Sequence, residues 1–198
     1  MIVGEILEPL NNAVDSGHVG VLGASNWEYR RVTEANEYAE KHGMKGFGVV
    51  SNTISLSHPV AAFYPGLIAT DKMGERWHSE TGIPLIPWSS QARGFFAGKY
   101  SPGMETSDGF TKAMMKVYGT DENFERYARA KELGEKKGGY TAIEVALAWL
   151  LHKPFPIVPI VGPHTTEELA SCVKGASLSL TESEIKWLNL EENGEKDG

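Results

Sequence analysis

One tract gathers more chemically capable side chains than any other: Ile83-Pro84-Leu85-Ile86-Pro87-Trp88-Ser89-Ser90-Gln91-Ala92-Arg93-Gly94-Phe95-Phe96-Ala97-Gly98-Lys99-Tyr100. A short apolar run leads into an aromatic, two hydroxyls, an amide, a guanidinium and two glycines. That order reads as a buried strand running out into a polar loop, and in parallel α/β folds the C-terminal ends of strands carry the chemistry. Three further apolar runs end alike, in Gly23-Ala24-Ser25-Asn26, Ser51-Asn52-Thr53 and Gly162-Pro163-His164-Thr165. A parallel sheet would set all four ends on one rim. Helices starting near Trp27 and Thr166 would aim free N–H groups at that rim, and helix N-termini bind anions. Arg93, Lys99 and His164 would add positive charge. A phosphate-bearing cofactor would find donors, an aromatic face and cations together.

Each of these residues also has a plainer reading. Ser25 and Asn26 serve equally as a helix cap. Trp88 is either a stacking platform or core packing at a strand end. Arg93 and Lys99 are either anion ligands or solvated surface charges. The histidines His18, His42, His58, His78, His152 and His164 are scattered, and only His164 falls on the expected rim.

The elements that must position these loops follow from periodicity and caps. Ile6, Leu7, Leu10 and Val14 recur at helical spacing, so Ile2 to Asp15 is expected to be a helix ended near Gly17. Val19 to Gly23 reads as a strand. Ser25 and Glu28 fit a capping box ahead of a helix from Trp27 to His42. Gly46 to Val50 is the second strand, Pro84 to Trp88 the third and Pro156 to Val161 the fourth. Thr70 to Thr81 is helical or irregular. Ser101 to Thr120 is rich in Gly, Ser, Thr and Met and reads as a long loop or lid. Asn123 to Lys137 and Thr141 to His152 are helices, the second opened by a Thr141–Glu144 capping box. Thr165 and Thr181 start the last two. The order α-β-α-β-α-β-α-α-β-α-α demands parallel pairing through crossovers. The whole of 1–198 is expected to be one domain, with 191–198 a polar tail that includes part of a solvated acidic face at Glu182, Glu184, Glu191 and Glu192.

The 198 residues suffice for one core, and 41% hydrophobic with 23% charged residues is ordinary for a globular chain. A net charge of −7 argues against a nucleic-acid or anionic membrane surface, though not against a small anionic cofactor held by a few cations. The lone Cys172 excludes an internal disulfide and reads as a small buried residue. The start lacks the basic region of a signal peptide, and no apolar run approaches the ~18 residues of a membrane span. Cytoplasm is the expected location.

The motifs together resemble those of the aldo-keto reductases, in family order from about Ile6 to Leu190. Leu22-Gly23-Ala24-Ser25-Asn26 is similar to the strand end whose Ser and Asn hold the nicotinamide carboxamide. Ser51-Asn52-Thr53-Ile54-Ser55-Leu56 falls where the family has Gln-Asn-x-Tyr-Ser-Leu, so Ser51 replaces a Gln that also holds the carboxamide. Trp88 matches the aromatic that stacks on nicotinamide. Ser89, Ser90, Gln91 and Arg93 match the pyrophosphate loop, and Lys99 its Gly-Lys-Tyr end. Ile160 to Leu169, with Gly162, His164 and Glu168, resembles the loop that binds the adenosine end. The resemblance implies NADP(H) or NAD(H) as cofactor and a small carbonyl compound as substrate. Glu168 sits where many members have a basic or amide side chain. A carboxylate there would repel a 2′-phosphate and suit a free ribose hydroxyl. Cys172 takes the place of an adenine-binding Asn, so the adenosine site is expected to be altered and binding weak or absent.

The resemblance covers strands five to eight only, which implies half of a TIM-type (β/α)8 barrel. The family's Asp, Tyr, Lys and His tetrad belongs to the first four strands, and no residue here matches it. Losing a general acid alone costs on the order of 10²–10⁴ in rate, so this chain by itself is expected to be inactive. Open sheet edges invite pairing with another chain, so a homo-oligomer is expected. Three functions stay open: an oxidoreductase portion whose tetrad half lies elsewhere, a non-catalytic nucleotide-binding module, and a self-assembling structural half-barrel.

Overall fold

The computed structural model describes residues 2–191. The Glu192 position and nearly all of the expected polar tail lie outside the described residues. The chain is α/β with parallel strands and divides into two compact units, residues 1–53, 66–88 and 154–158 in one, and 54–65, 89–153 and 159–198 in the other.

The first unit begins with α1 (Val3–Asp15), β1 (Leu22–Ser25), α2 (Tyr29–Lys41), β2 (Phe47–Ser51) and α3 (Lys72–Thr81). β1 and β2 pair in parallel, Ala24 opposite Val50 and Ser25 opposite Ser51. Leu22 and Ala24 point into the core while Gly23 and Ser25 are exposed, the period-2 alternation of a half-buried strand. Leu7 of α1, Val32 of α2 and Leu85 are fully buried. Asn11 stitches α1 to the turn before β2: its amide donates to the Lys45 carbonyl at 3.0 Å and its oxygen accepts from the Lys45 N–H at 2.8 Å.

The two expected strands at Pro84–Trp88 and Pro156–Val161 are not strands. Each contributes only an isolated parallel bridge, Leu85 to Val50 and Leu85 to Ile157. Leu85 N–H donates to the Pro156 carbonyl at 2.9 Å, and Ile86 N–H to the Val50 carbonyl at 2.8 Å. Pro84, Pro87, Pro156 and Pro159 have no N–H to give, so a ladder cannot extend past one or two rungs. The parallel order survives as single hydrogen-bonded contacts.

Two further expectations are corrected. Ser25 does not cap α2. It ends β1, and Glu28 is the N-cap with no side-chain bond to the helix. Asn26 takes a left-handed φ of 57°, which lengthens the turn and moves the helix start to Tyr29. The region Ser101–Thr120 is not all loop. It contains α4 (Gly109–Tyr118), capped where the Asp108 carboxylate accepts from Thr111 N–H at 2.7 Å. Met114, Val117 and Tyr118 anchor its buried side. The uncertain Thr70–Thr81 region is helical as α3, with Asp71 as cap and Gly82 in the left-handed region at its end.

In the second unit α4 is followed by α5 (Asp121–Lys136), α6 (Ala142–Leu151), α7 (Thr166–Ala176) and α8 (Glu182–Leu188). The expected box at Thr141 is present, its N–H donating to the Glu144 carboxylate at 2.8 Å. α6 is buried on nearly every side, and Val145, Ala148 and Leu150 are fully enclosed. Gly175 of α7 lets that helix lie against α6: a Cβ there would stand 2.9 Å from the Glu144 backbone. Asn123, fully buried, bonds the His58 N–H and carbonyl at 2.8 Å each and the Tyr118 carbonyl at 3.0 Å. Among the described residues no helix is long and apolar enough to cross a membrane.

Candidate functional site

In the first unit, Ser25, Asn26 and Ser51 form one hydrogen-bonded network at the ends of β1 and β2. The Ser25 hydroxyl donates to the Ser51 carbonyl at 2.9 Å, and the Asn26 amide donates to Ser25 Oγ at 3.3 Å. Asn26 Oδ1 accepts from Ile68 N–H at 3.2 Å, which fixes its amide orientation. Ser25 is exposed and Asn26 half-buried, so both present polar groups at the strand ends. Trp88 follows Leu85 by three residues and is half-buried, yet its indole Nε1–H is buried with no partner. A buried donor left unpaired is costly to stability.

In the second unit, Ser89 to Lys99 forms a tight, left-handed loop. Ser89, Ala92, Arg93 and Gly94 have φ of 52°, 49°, 51° and 83°. Three of these are not glycine, and each costs on the order of 1–2 kcal/mol. Ser90 is buried and its hydroxyl donates to the Ile160 carbonyl at 2.5 Å, tying this loop to the segment that ends at Gly162. Gln91 Oε1 accepts from the Cys172 thiol on α7 at 3.6 Å. Burial pushes the Cys172 thiol up, so it stays protonated as a small core residue. Arg93 lays its guanidinium over the Phe63 ring, 4.4 Å from the centroid, and its Nε is buried without a partner. Lys99, Gly162 and His164 are exposed.

The start of α7 is already filled by its own carboxylates. Glu168 Oε2 accepts from His164 N–H at 2.6 Å, while Glu168 N–H donates to Thr165 Oγ1 at 3.2 Å. The Glu167 carboxyl is held below the usual carboxylate range by its own backbone N–H and the Thr165 and Thr166 hydroxyls. A phosphate approaching this terminus would meet two negative charges where the helix dipole alone would welcome it.

Sequence reasoning passed over Tyr118. It is almost fully buried, and burial raises its phenol while the Arg93 charge and a Ser55 hydrogen bond pull it down. The signal was available: Asp108 stands three residues before Thr111, and Phe110, Met114, Val117 and Tyr118 keep helical spacing. Among the described residues there is no cluster of three or more His, Cys, Asp or Glu able to hold a metal ion.

Parallel strand segments with polar ends, alternating with helices, define an α/β protein. Comparison with known proteins names the class. The family model described as "Aldo/keto reductase family" matches residues 3–189, and the chain belongs to that family. A putative aryl-alcohol dehydrogenase of Schizosaccharomyces pombe is 32% identical over 190 residues, covering 93% of this chain and 53% of that protein. Versiconal hemiacetal acetate reductase of Aspergillus parasiticus is 30% identical over 192 residues, covering 93% and 51%. The chain thus spans about half the length of the curated relatives it matches. Among solved structures, the glycerol dehydrogenase AKR11B4 of Gluconobacter oxydans aligns with TM-score 0.69 at 17% identity, covering 96% of this chain and 54% of that one. A thermostable aldo-keto reductase, Tm1743, aligns with TM-score 0.66 at 18% identity, covering 96% and 55%. These two likenesses concern the fold.

Proposed function

We propose that this chain is the cofactor-gripping half of an NAD(P)H-dependent carbonyl reductase, one half-barrel domain whose proton-transferring residues lie outside its 198 residues. The observation that carries this reading is Trp88, a half-buried aromatic directly ahead of Ser89, Ser90 and Gln91. When bound, the cofactor would supply a hydride to a carbonyl carbon. Ser25 and Asn26 would orient the carboxamide of the nicotinamide, with Ser51 contributing through its backbone carbonyl's hold on Ser25. Trp88 would cover the ring, and Ser89, Gln91, Arg93 and Lys99 would meet the pyrophosphate. Ser90 is committed to Ile160, so its part is to hold the loop in shape. Gly162, His164 and Glu168 would flank the adenosine end. The carboxylates at the start of α7 favour a free 2′-hydroxyl, hence NAD(H) over NADP(H).

Self-assembly is part of the same reading. Val21 and Val158, both in the first unit, are large apolar side chains 68% and 60% exposed. Large apolar side chains left in water favour a homo-oligomer. The cytoplasm is the proposed compartment, and a small carbonyl compound the substrate class. A self-assembling structural half-barrel that binds no dinucleotide is the second reading, and those exposed valines favour it.

Carbonyl-dependent NADH oxidation by the pure chain tests the first reading. No turnover is expected from the chain alone. Turnover at rates ordinary for an enzyme would place the general acid inside this sequence and overturn the division of labour.

A further inference from the structure

We infer that Cys172 is a positioning residue: its thiol holds the Gln91 side-chain amide by the oxygen and so leaves the Nε2–H donors for a bound diphosphate. The inference deepens the reading of Ser89 to Lys99 as the pyrophosphate loop and rests on it. Both residues lie in the second unit.

The polar groups at the head of this loop are unequally committed. The Ser90 hydroxyl is spent on the Ile160 carbonyl. The Ser89 carbonyl accepts from Ala92 N–H at 2.8 Å, and the Gln91 carbonyl from Gly94 N–H at 3.1 Å. What Gln91 can offer a ligand is therefore decided by its side-chain amide, which has an acceptor at one end and two donors at the other. An anion needs the donor end. The last torsion of a free glutamine is broad, so either end could point outward. Here Gln91 is half-buried, and its Oε1 accepts from the Cys172 thiol at 3.6 Å. Burial pushes that thiol up, so it keeps the proton it donates. The sulfur is fixed in its turn. Cys172 and Gly175 are the buried residues of α7, three apart on one face. The close seat of Gly175 against the Glu144 backbone keeps α7 from carrying the thiol away. Where the family resemblance implies an adenine-binding Asn, this chain thus has a side chain that acts on the neighbouring loop.

The test is calorimetric titration of the full chain with NADH, beside two-dimensional NMR of the ¹⁵N-labelled Gln91 side-chain amide. Cys172→Ala is expected to move the Gln91 amide resonances and to weaken NADH about three- to tenfold, while Cys172→Ser, which keeps a donor, stays within about twofold of the parent. In a Gln91→Ala background, Cys172→Ala is expected to cost nothing further, because its effect runs through Gln91. Cys172→Val, which fills the space without a donor, replaces Cys172→Ala if the smaller side chain does not fold. Losses that add in the double variant would make Cys172 a direct ligand contact or a packing residue and overturn the inference. So would NADH affinity equal to the parent's in Cys172→Ala, with the loop reading left standing. A parent chain that does not bind NADH would overturn the loop reading and this inference with it.

Discussion

The Ser90 hydroxyl sits 2.5 Å from the Ile160 carbonyl, joining residues seventy positions apart in sequence. One buried side chain thereby fastens the Ser89–Lys99 loop to the segment leading into Gly162. Ser90→Ala would strand the Ile160 carbonyl, at a cost of about 1–3 kcal/mol. Urea unfolding of the variant is expected to show a lower midpoint with an unchanged slope. A midpoint equal to that of the parent would mean the bond contributes nothing.

Asn123 carries more. It is 0% exposed, meets both backbone groups of His58 and the Tyr118 carbonyl, and accepts from Arg126 Nη1 at 3.2 Å. Asn123→Ala leaves several buried groups unpaired at once, so a loss of roughly 3 kcal/mol or more is expected. Thermal denaturation followed by circular dichroism checks this. A shift of a degree or less would contradict it.

His78 sets a pH dependence. Burial holds its imidazole below the ordinary histidine value, against smaller upward pulls from the Ile83 hydrogen bond and Glu75. Its folded pKa is therefore the lower one, and the unfolded chain binds the proton first. The associated stability is complete above the unfolded value of about 6.5 and declines as pH falls below it. The unfolding midpoint of the parent should drop between pH 7 and pH 5 by more than that of His78→Gln. Parallel curves would show that His78 does not titrate across unfolding.

The helices were largely legible because their signals are local. Thr141–Glu144 and Thr181–Glu184 announce helix starts within four residues, and both are present. The third and fourth strands were legible in position and parallel order but not in extent. Their prolines were visible in sequence, yet the one-rung outcome depends on which N–H each partner needs. Ser25 was misread as a cap because a capping box and a strand end share the same residue types, and the left-handed Asn26 decides between them. At the strand ends, sequence could not foresee that Ser90 is spent on Ile160 or that Glu168 folds onto its own helix start.

Glu168 gives a charge test of cofactor preference. Its carboxylate stands at the start of α7 beside Glu167. Glu168→Lys replaces a negative charge with a positive one, and is expected to strengthen NADPH binding relative to NADH by about tenfold or more. Calorimetric titration with both nucleotides reads the ratio. An unchanged ratio would remove Glu168 from the adenosine end.

The central claim, that these strand ends grip a nicotinamide dinucleotide, is tested most directly by equilibrium titration of the isolated chain with NADH, beside Trp88→Ala. Saturable binding weakened at least tenfold by Trp88→Ala is the expected result. No saturable binding, or equal binding by the folded Trp88→Ala variant, would contradict it.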